Sequence, residues 1–182
     1  MKKRKKYILR KHYKGQVWVE TVIYTLIAFI MIGLVLSYAR PKIQELQDHA
    51  ILQQSTEMMK QIDSKILTLG SQGNQRILEI GIKAGKLDID GVNDKIIFSL
   101  ESQSVYSEIG RKINDGNIVV LTEKKVGYNL VTLTRNYSSD YDITINGKNE
   151  LVTISQSSTS YKLSISNGGV SGSRTLLNMS ID

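Results

Sequence analysis

Few side chains in this sequence could carry out covalent or metal chemistry. The chain contains no cysteine, which excludes a thiolate nucleophile, a thiolate metal site and a disulfide framework. The two histidines, His12 and His49, are isolated, and neither has the spacing of a zinc site or a catalytic triad. We therefore predict that the protein is not an enzyme and that it holds no metal and no cofactor.

One acidic segment resembles a calcium loop in composition. Residues 88–94 contain three Asp and one Asn, but Gly91 comes too early for an EF-hand loop. Ser99 also occupies the position at which such a loop requires Glu. Asp90-Gly91 is more typical of a tight hairpin turn, and a turn between two strands is the favoured interpretation.

Glu20 is the most unusual polar residue, because it lies at the start of a long apolar segment. Residues 21–39 contain no charged side chain over 19 positions, and as a helix they would extend about 28 Å, close to the thickness of a bilayer core. A charged side chain at the centre of such a helix costs about 2.5 to 3.5 kcal/mol, so Glu20 should have a partner. The alternative is that Glu20 lies in the lipid headgroup layer.

The positive charge of the chain is concentrated before this segment. Eight of the 24 Lys and Arg residues lie in residues 1–15, which contain no Asp or Glu, and 16 basic and 17 acidic side chains remain elsewhere. The net charge of +7 therefore belongs to the N-terminus, and we predict no nucleic-acid partner. Basic residues before a membrane helix orient the N-terminus toward the cytoplasm, which predicts a single-pass protein with its C-terminal part outside.

The residues between the basic leader and the apolar segment resemble a processing site. Lys14, Gly15 and Gln16 end the leader, and Glu20 is the fifth residue when the count starts at Gln16. Together with the basic leader and the apolar helix, this pattern resembles the class III signal peptide of archaeal type IV pilin-like proteins. The resemblance covers roughly residues 10–45.

The resemblance implies a processing step and an assembly contact. A prepilin-type aspartic peptidase in the membrane would cut between Gly15 and Gln16 and leave the apolar helix on the mature chain. Glu20 would then pair with the free amine of Gln16 on a neighbouring subunit. The function implied is a structural subunit of a cell-surface filament, whose partners are other copies or other pilin-like subunits. The alternative is a single-pass, membrane-anchored surface protein for binding or adhesion that does not polymerise.

The hydrophobic pattern predicts an α+β fold in which a long helix precedes a β-rich head. We expect a cleaved leader (1–15), a transmembrane and assembly helix (16–40), an amphipathic extension (41–72) and an extracellular head (73–182). Pro41 should kink the helix, and Gly70 should end it. The apolar positions of the extension are Ile43, Leu46, Ala50, Met58, Ile62, Ile66 and Leu69.

From residue 76 onward the apolar residues recur at every second position, which predicts β-strands. Such segments cover residues 78–82, 96–100, 141–145 and 161–165, with a last strand at 177–181. The pattern at residues 103–114 is ambiguous, and a loop is one interpretation. Asn or Asp before Gly at 90–91, 146–147 and 167–169 predicts tight turns. We therefore expect a mostly antiparallel, β-sandwich-like head.

Two Asn-x-Ser sequons make Asn136 and Asn178 candidate N-glycosylation sites. The alternative is that these triplets arise by chance in a Ser-rich chain. Leu177, Met179 and Ile181 should face inward, which would turn Asn178 and Ser180 outward and leave Asn178 open to modification.

Overall fold

The computed structural model describes residues 14–182, and the side chains from residue 17 onward. The leader up to residue 13, including His12, lies outside the described residues. The chain divides into two units, with the boundary between Ile43 and Gln44. The elements in chain order are α1 Lys14–Leu67, β1 Gln75–Ile80, β2 Lys86–Asp90, β3 Lys95–Ser102, β4 Lys112–Asp115, β5 Ile118–Lys124, β6 Asn129–Asn136, β7 Tyr141–Ile145, β8 Leu151–Ser155, β9 Tyr161–Ser171 and β10 Arg174–Ile181.

The strands form two sheets, and the predicted α+β class is confirmed. A small sheet has four strands in the order β1-β9-β10-β7, and a large sheet has six in the order β4-β5-β6-β3-β2-β8. Every pairing is antiparallel except that of β7 with β10, which is parallel. The head is therefore mostly antiparallel, as its alternating pattern predicts.

The part of α1 that belongs to the second unit packs into the core of the head. Its most buried apolar side chains, together with inward-facing residues of both sheets, form one continuous cluster. The helical members are Leu52, Met59, Ile62 and Ile66. The predicted stripe is therefore only partly right, because Ile43 and Leu46 are exposed while Leu52 and Met59 are buried. Polar Ser55 and Thr56 on the buried face obscured the helical period in the sequence.

Two buried carboxylates tie this helix to the large sheet. Asp48 accepts hydrogen bonds from Ser102 Oγ at 3.0 Å and from the backbone N–H of Gln103 at 2.7 Å. Asp63 accepts from Arg135 Nε at 2.7 Å and from Asn117 Nδ2 at 3.0 Å. Each carboxylate is thus desolvated but satisfied, which is the condition under which a buried charge is tolerated.

Tyr137 lies in the core beside the Asp63–Arg135 pair. The Arg135 guanidinium lies 4.6 Å from the centre of the Tyr137 ring, a favourable cation–π arrangement. The buried Tyr137 hydroxyl has no hydrogen-bond partner. Burial, and after it the negative charge of Asp63, raises the pKa of Tyr137, so the phenol stays neutral in the folded protein.

Replacing Tyr137 by phenylalanine should stabilise the folded protein at neutral pH by about 1 kcal/mol, because the hydroxyl that is removed is buried without a hydrogen-bond partner. In the unfolded chain a tyrosine phenol has a pKa of about 10, whereas the pKa of Tyr137 in the folded protein is raised. The free energy of unfolding therefore stays constant with respect to Tyr137 below about pH 10. Above that pH it falls, because the phenol can ionise only in the unfolded chain. At about pH 11 the parent should have lost about 1.4 kcal/mol relative to Tyr137→Phe.

Urea unfolding of the full chain in detergent micelles, followed by circular dichroism at both pH values, measures this difference. Tyr161→Phe is the matched control, since the Tyr161 hydroxyl donates to the Ser155 carbonyl and its ring is only partly buried. An equal alkaline loss in the parent and in Tyr137→Phe would contradict the prediction.

Two of the three predicted turns are present. Asn146 and Gly147 have φ values of 50° and 77°, typical of a type I′ turn, and Ile145 and Lys148 exchange backbone hydrogen bonds across it. A turn also joins β2 to β3, but its positive φ of 53° falls on Asp94 instead of Gly91. Gly91 is required there for space, because a Cβ atom would lie 2.7 Å from the Ile143 carbonyl oxygen.

The segment that resembles a calcium loop caps this turn. The Asp90 carboxylate accepts hydrogen bonds from the backbone N–H groups of Val92 and Asn93 and from Asn93 Nδ2. Burial opposes the charge of Asp90, but these hydrogen bonds outweigh it and lower the pKa of the carboxyl group. Asp94 accepts from the backbone N–H of Ile143 and from Arg174, so its carboxylate joins β10 to the turn.

The third predicted turn, at residues 167–169, is wrong. These residues lie inside β9, where the register with β10 shifts between Leu176 and Leu177. Gly169, with a φ of 99°, belongs to this bulge, and the real turn contains Gly172. Within the ambiguous segment 103–114, β4 adds an edge strand to the large sheet at Lys112–Asp115. The helix ends at Leu67, shortly before Gly70, which has a positive φ of 73°.

Candidate functional site: the apolar N-terminal helix

The apolar side chains of the first unit are exposed over the described part of α1. From Val17 to Tyr38 the large apolar side chains are all solvent-accessible; Phe29, for example, is 67% exposed and Leu34 is 62% exposed. From Val17 onward the helix is long and apolar enough to cross a membrane, judged by length and composition alone. The most apolar stretch has none of its surface buried within the protein. Such a surface is stable only when lipid or protein covers it.

The hydroxyl groups within the apolar stretch are satisfied by the helix itself. Thr21 Oγ1 donates to the Val17 carbonyl at 2.9 Å, and Thr25 Oγ1 donates to the Thr21 carbonyl at 2.8 Å. Ser37 Oγ likewise donates to the Gly33 carbonyl at 2.9 Å. A hydroxyl without a partner is costly in hydrocarbon, so these internal hydrogen bonds suit the segment to a lipid environment.

Glu20 is the one acidic residue among the apolar side chains at the start of this helix, within the described residues 17–39. It is exposed, and its carboxylate has no hydrogen-bond or ion-pair partner among the residues that the structure describes. Gln16 precedes it by about one helical turn, so their Cα atoms are separated by about 6 Å along the axis. A free amine at position 16 would add positive charge to the positive end of the helix dipole, which a nearby carboxylate would offset.

The predicted processing residues Lys14, Gly15 and Gln16 lie in the first turn of α1, which begins at Lys14. The structure therefore places the predicted cleavage point and Glu20 on one continuous helical segment. This adjacency follows from sequence spacing and needs no tertiary contact.

The two sequons lie in different environments. Asn136 is exposed, and its Oδ1 accepts only the nearby backbone N–H of Ser138 at 3.0 Å among the described groups. Asn178 is half-buried, and its Oδ1 accepts the backbone N–H of Gly147 at 2.8 Å and Thr144 Oγ1 at 3.3 Å. Leu177 and Met179 do face the core, as predicted, but Asn178 holds the turn after β7.

The head offers no obvious metal centre within residues 17–182. No group of three or more His, Asp or Glu side chains there is arranged to hold a metal ion. His49 is exposed and packs its ring against Tyr106, with the ring centres 5.5 Å apart. The exposed apolar helix with Glu20 is thus the feature of the described chain that most needs a partner. No protein-family model, curated protein or solved structure matches this chain.

Proposed function

We propose that the protein is a type IV pilin-like structural subunit of a cell-surface filament. A prepilin-type aspartic peptidase would cut between Gly15 and Gln16, and the retained helix would drive assembly. The observation that carries this proposal is the acidic Glu20, one helical turn after Gln16, at the start of an apolar helix with no cover in the protein.

The exposed apolar helix supports a role in both the membrane and a filament. Before assembly, lipid would cover the helix, and the self-bonded hydroxyls of Thr21, Thr25 and Ser37 suit that environment. After assembly, helices of other subunits would cover the same surface. Glu20 distinguishes the two states, because a carboxylate gains little from lipid and much from an amine on a neighbour.

The charge distribution supports an extracellular head. All the excess positive charge lies before the apolar helix, which would keep the leader in the cytoplasm until it is removed. The head has its own core formed by both sheets and the second part of α1, so it can fold outside without disulfides.

A single-pass surface protein that does not polymerise is the second candidate. It is favoured by the same exposed helix, since lipid alone can cover apolar side chains. It gives no role to Glu20 and predicts no cleavage after Gly15. Cleavage after Gly15 and a requirement for Glu20 in assembly are therefore expected of the filament subunit and not of the anchored protein.

The proposal predicts a mature N-terminus at Gln16. Mass spectrometry of the protein extracted from membranes should find Gln16 as the first residue, with the apolar helix retained. Gly15→Ile should block the cut, because a bulky side chain replaces the residue at the scissile bond. Gly33→Ala is the matched control, since a Cβ atom at position 33 meets no other atom within 4 Å. A mature chain that still begins at Met1, or one cut after Ala39, would refute the processing step.

An extracellular head also predicts a difference between the two sequons. In a host that glycosylates Asn-x-Ser on its surface proteins, Asn136 should carry a glycan, because its side chain is exposed. Asn178 should not, because it is half-buried and its amide group is held in place by the hydrogen bonds that Oδ1 accepts from Gly147 and Thr144. Glycopeptide mass spectrometry measures the occupancy of each site. Asn136→Gln should remove the modification, whereas Ser180→Ala, which destroys only the second sequon, should leave it intact. A glycan on Asn178, or none on Asn136, would contradict this assignment.

A further inference from the structure

The hairpin between β5 and β6 ends in an apolar side chain that projects into solvent. Val126, at the tip of this hairpin, is 99% exposed. The backbone N–H of Lys125 donates to the Tyr128 carbonyl at 2.9 Å, and Gly127 has a φ of 87°, so the turn is tight and holds Val126 in place. A single exposed valine is common on proteins, so the position of this tip decides what it can contact.

The hydrogen bonds of α1 show which end of the head carries the tip. Asp48, near the start of the second unit, accepts from Ser102 at the end of β3. Asp63, farther along α1, accepts from Arg135 near the end of β6. Because Ser102 lies opposite Asn129, the first residue of β6, this strand runs alongside α1 in the same direction. The hairpin that precedes β6 therefore lies at the end where the chain enters the head.

Other exposed apolar side chains share this end of the head. Leu46 on α1 is 71% exposed, and Val105, in the loop after β3, is 53% exposed. Gln103 in the same loop donates from Nε2 to the Gly127 carbonyl at 3.2 Å, which ties the loop to the hairpin tip. Leu46, Val105 and residues 124–127 together form the entry end of the head.

Two lysines come directly before the apolar tip. Lys125 forms an ion pair with Glu123 at 3.0 Å, in which the two side chains are 43% and 45% exposed. Lys124 is exposed and makes no hydrogen bond or ion pair within residues 17–182. An apolar side chain beside lysines suits the surface of a bilayer, where apolar groups enter the boundary of the acyl chains and ammonium groups are attracted to anionic phosphates.

The short connection between the two units puts a bilayer within reach of the entry end. Only residues 40–43 separate Ala39, the last residue of the uncharged segment, from Gln44, where the second unit begins. Even fully extended, this connection covers at most about 18 Å. The turn that carries Val92 lies at the opposite end of β3, about 24 Å from the entry end. If residues 21–39 span a bilayer, its headgroups are therefore the first surface available to the entry end.

We propose that the entry end of the head contacts the surface of an anionic bilayer. Val126 would lie at the boundary between headgroups and acyl chains, and Lys124 would lie near the lipid phosphates. A neighbouring subunit is a poorer occupant, because one hairpin tip buries much less than the total of about 1,200 Å² that a specific protein interface needs. The inference rests on the membrane placement of the apolar helix and does not depend on filament formation.

The test measures how close single positions lie to lipid headgroups. The chain has no cysteine, so Val126→Cys, Val92→Cys and Ser37→Cys can each carry one fluorescent probe. Each labelled full chain is placed, one copy per disc, in nanodiscs of anionic lipid that include lipids with a nitroxide on the headgroup, which quenches only nearby probes. The probes at positions 37 and 126 should be quenched. The probe at position 92, an equally simple exposed valine site at the opposite end, should keep its fluorescence.

A charge variant tests the lysine contact. Lys124→Gln should shift the equilibrium at position 126 toward the free tip by about fivefold, as expected for one lysine near an anionic surface. Lys95→Gln, at the opposite end of β3, is the matched control and should have no effect.

The outcomes separate this inference from the membrane placement of the helix. Quenching at position 37 without quenching at position 126, or equal quenching at positions 126 and 92, would overturn the contact and leave the anchored helix intact. An equal effect of Lys124→Gln and Lys95→Gln would overturn the lysine contact. No quenching at position 37 would overturn the membrane placement itself, and the proposed function with it.

Discussion

Glu20→Ala should abolish filaments while leaving the protein in the membrane. Removing a carboxylate from an apolar helix favours insertion by about 2.5 to 3.5 kcal/mol near the centre of the bilayer and by less near the interface. In the proposed filament, the same change would remove the partner of the Gln16 amine on the neighbouring subunit. A loss of only about 1.4 kcal/mol at each contact lowers the association constant tenfold, and the loss is repeated at every subunit.

Electron microscopy of the cell surface and quantification of sheared filaments measure this effect, with membrane fractionation alongside. Glu20→Gln keeps the shape of the side chain but loses its charge, so it separates ion pairing from packing. Thr25→Ala is the matched control, because the Thr25 hydroxyl bonds within its own helix. If both Glu20 variants assembled as well as the parent, the ion pair would be wrong and the non-polymerising anchor would be favoured. Loss of both variants from the membrane would also contradict the assembly role.

Asp63→Ala should destabilise the head by about 3 kcal/mol. The change leaves the Arg135 guanidinium without its carboxylate in a site where the two side chains are only 18% and 11% exposed. Breaking a buried pair by removing one partner typically costs about 3 to 5 kcal/mol, and the lower limit applies because Arg135 retains partial exposure and its bond to the Asn136 carbonyl. Asn117 also loses its acceptor.

Equilibrium urea unfolding of the full chain in micelles, monitored by the circular dichroism of the sheets, measures this loss. Asp115→Ala is the matched control, since Asp115 pairs with Lys60 at 3.0 Å but the two side chains are 45% and 41% exposed to solvent. That variant should unfold at nearly the same urea concentration as the parent. Equal midpoints for Asp63→Ala and the parent would mean that the buried pair contributes nothing to stability.

The alternating sequence pattern predicts some of the strands and misses others. The sequence predicts β3, β7, β9 and β10 because apolar and polar residues alternate along these segments. Strands β5 and β6 are not predicted, since Val119, Leu121 and Leu130 put apolar side chains on the outer face and obscure the period of two. Strand β2 alternates as clearly, but its Asp88 and Asp90 belong to the acidic segment that the sequence assigns to a turn.

Local residue preferences likewise predict some of the turns and not others. Asn146-Gly147 forms the expected turn because its positive φ angles depend on the two residues themselves. Asn167-Gly168-Gly169 has the same local preference, yet it lies within β9. There Asn167 Nδ2 donates to the Gly70 carbonyl, and the backbone N–H of Gly73 donates to the Asn167 carbonyl, so contacts with a distant segment select a bulge instead of a turn.

The sequence by itself determined the exposed apolar helix, the position of Glu20 one turn after Gln16, and the α+β class. These features depend on composition and on residues that are close together in the sequence. Only the tertiary structure decided which polar groups have partners. Asp63 meets Arg135 at a separation of 72 positions, and Asn178 is held by a turn 31 positions away. The order of strands in a sheet sets these contacts, and an alternating pattern predicts a strand without specifying its neighbours.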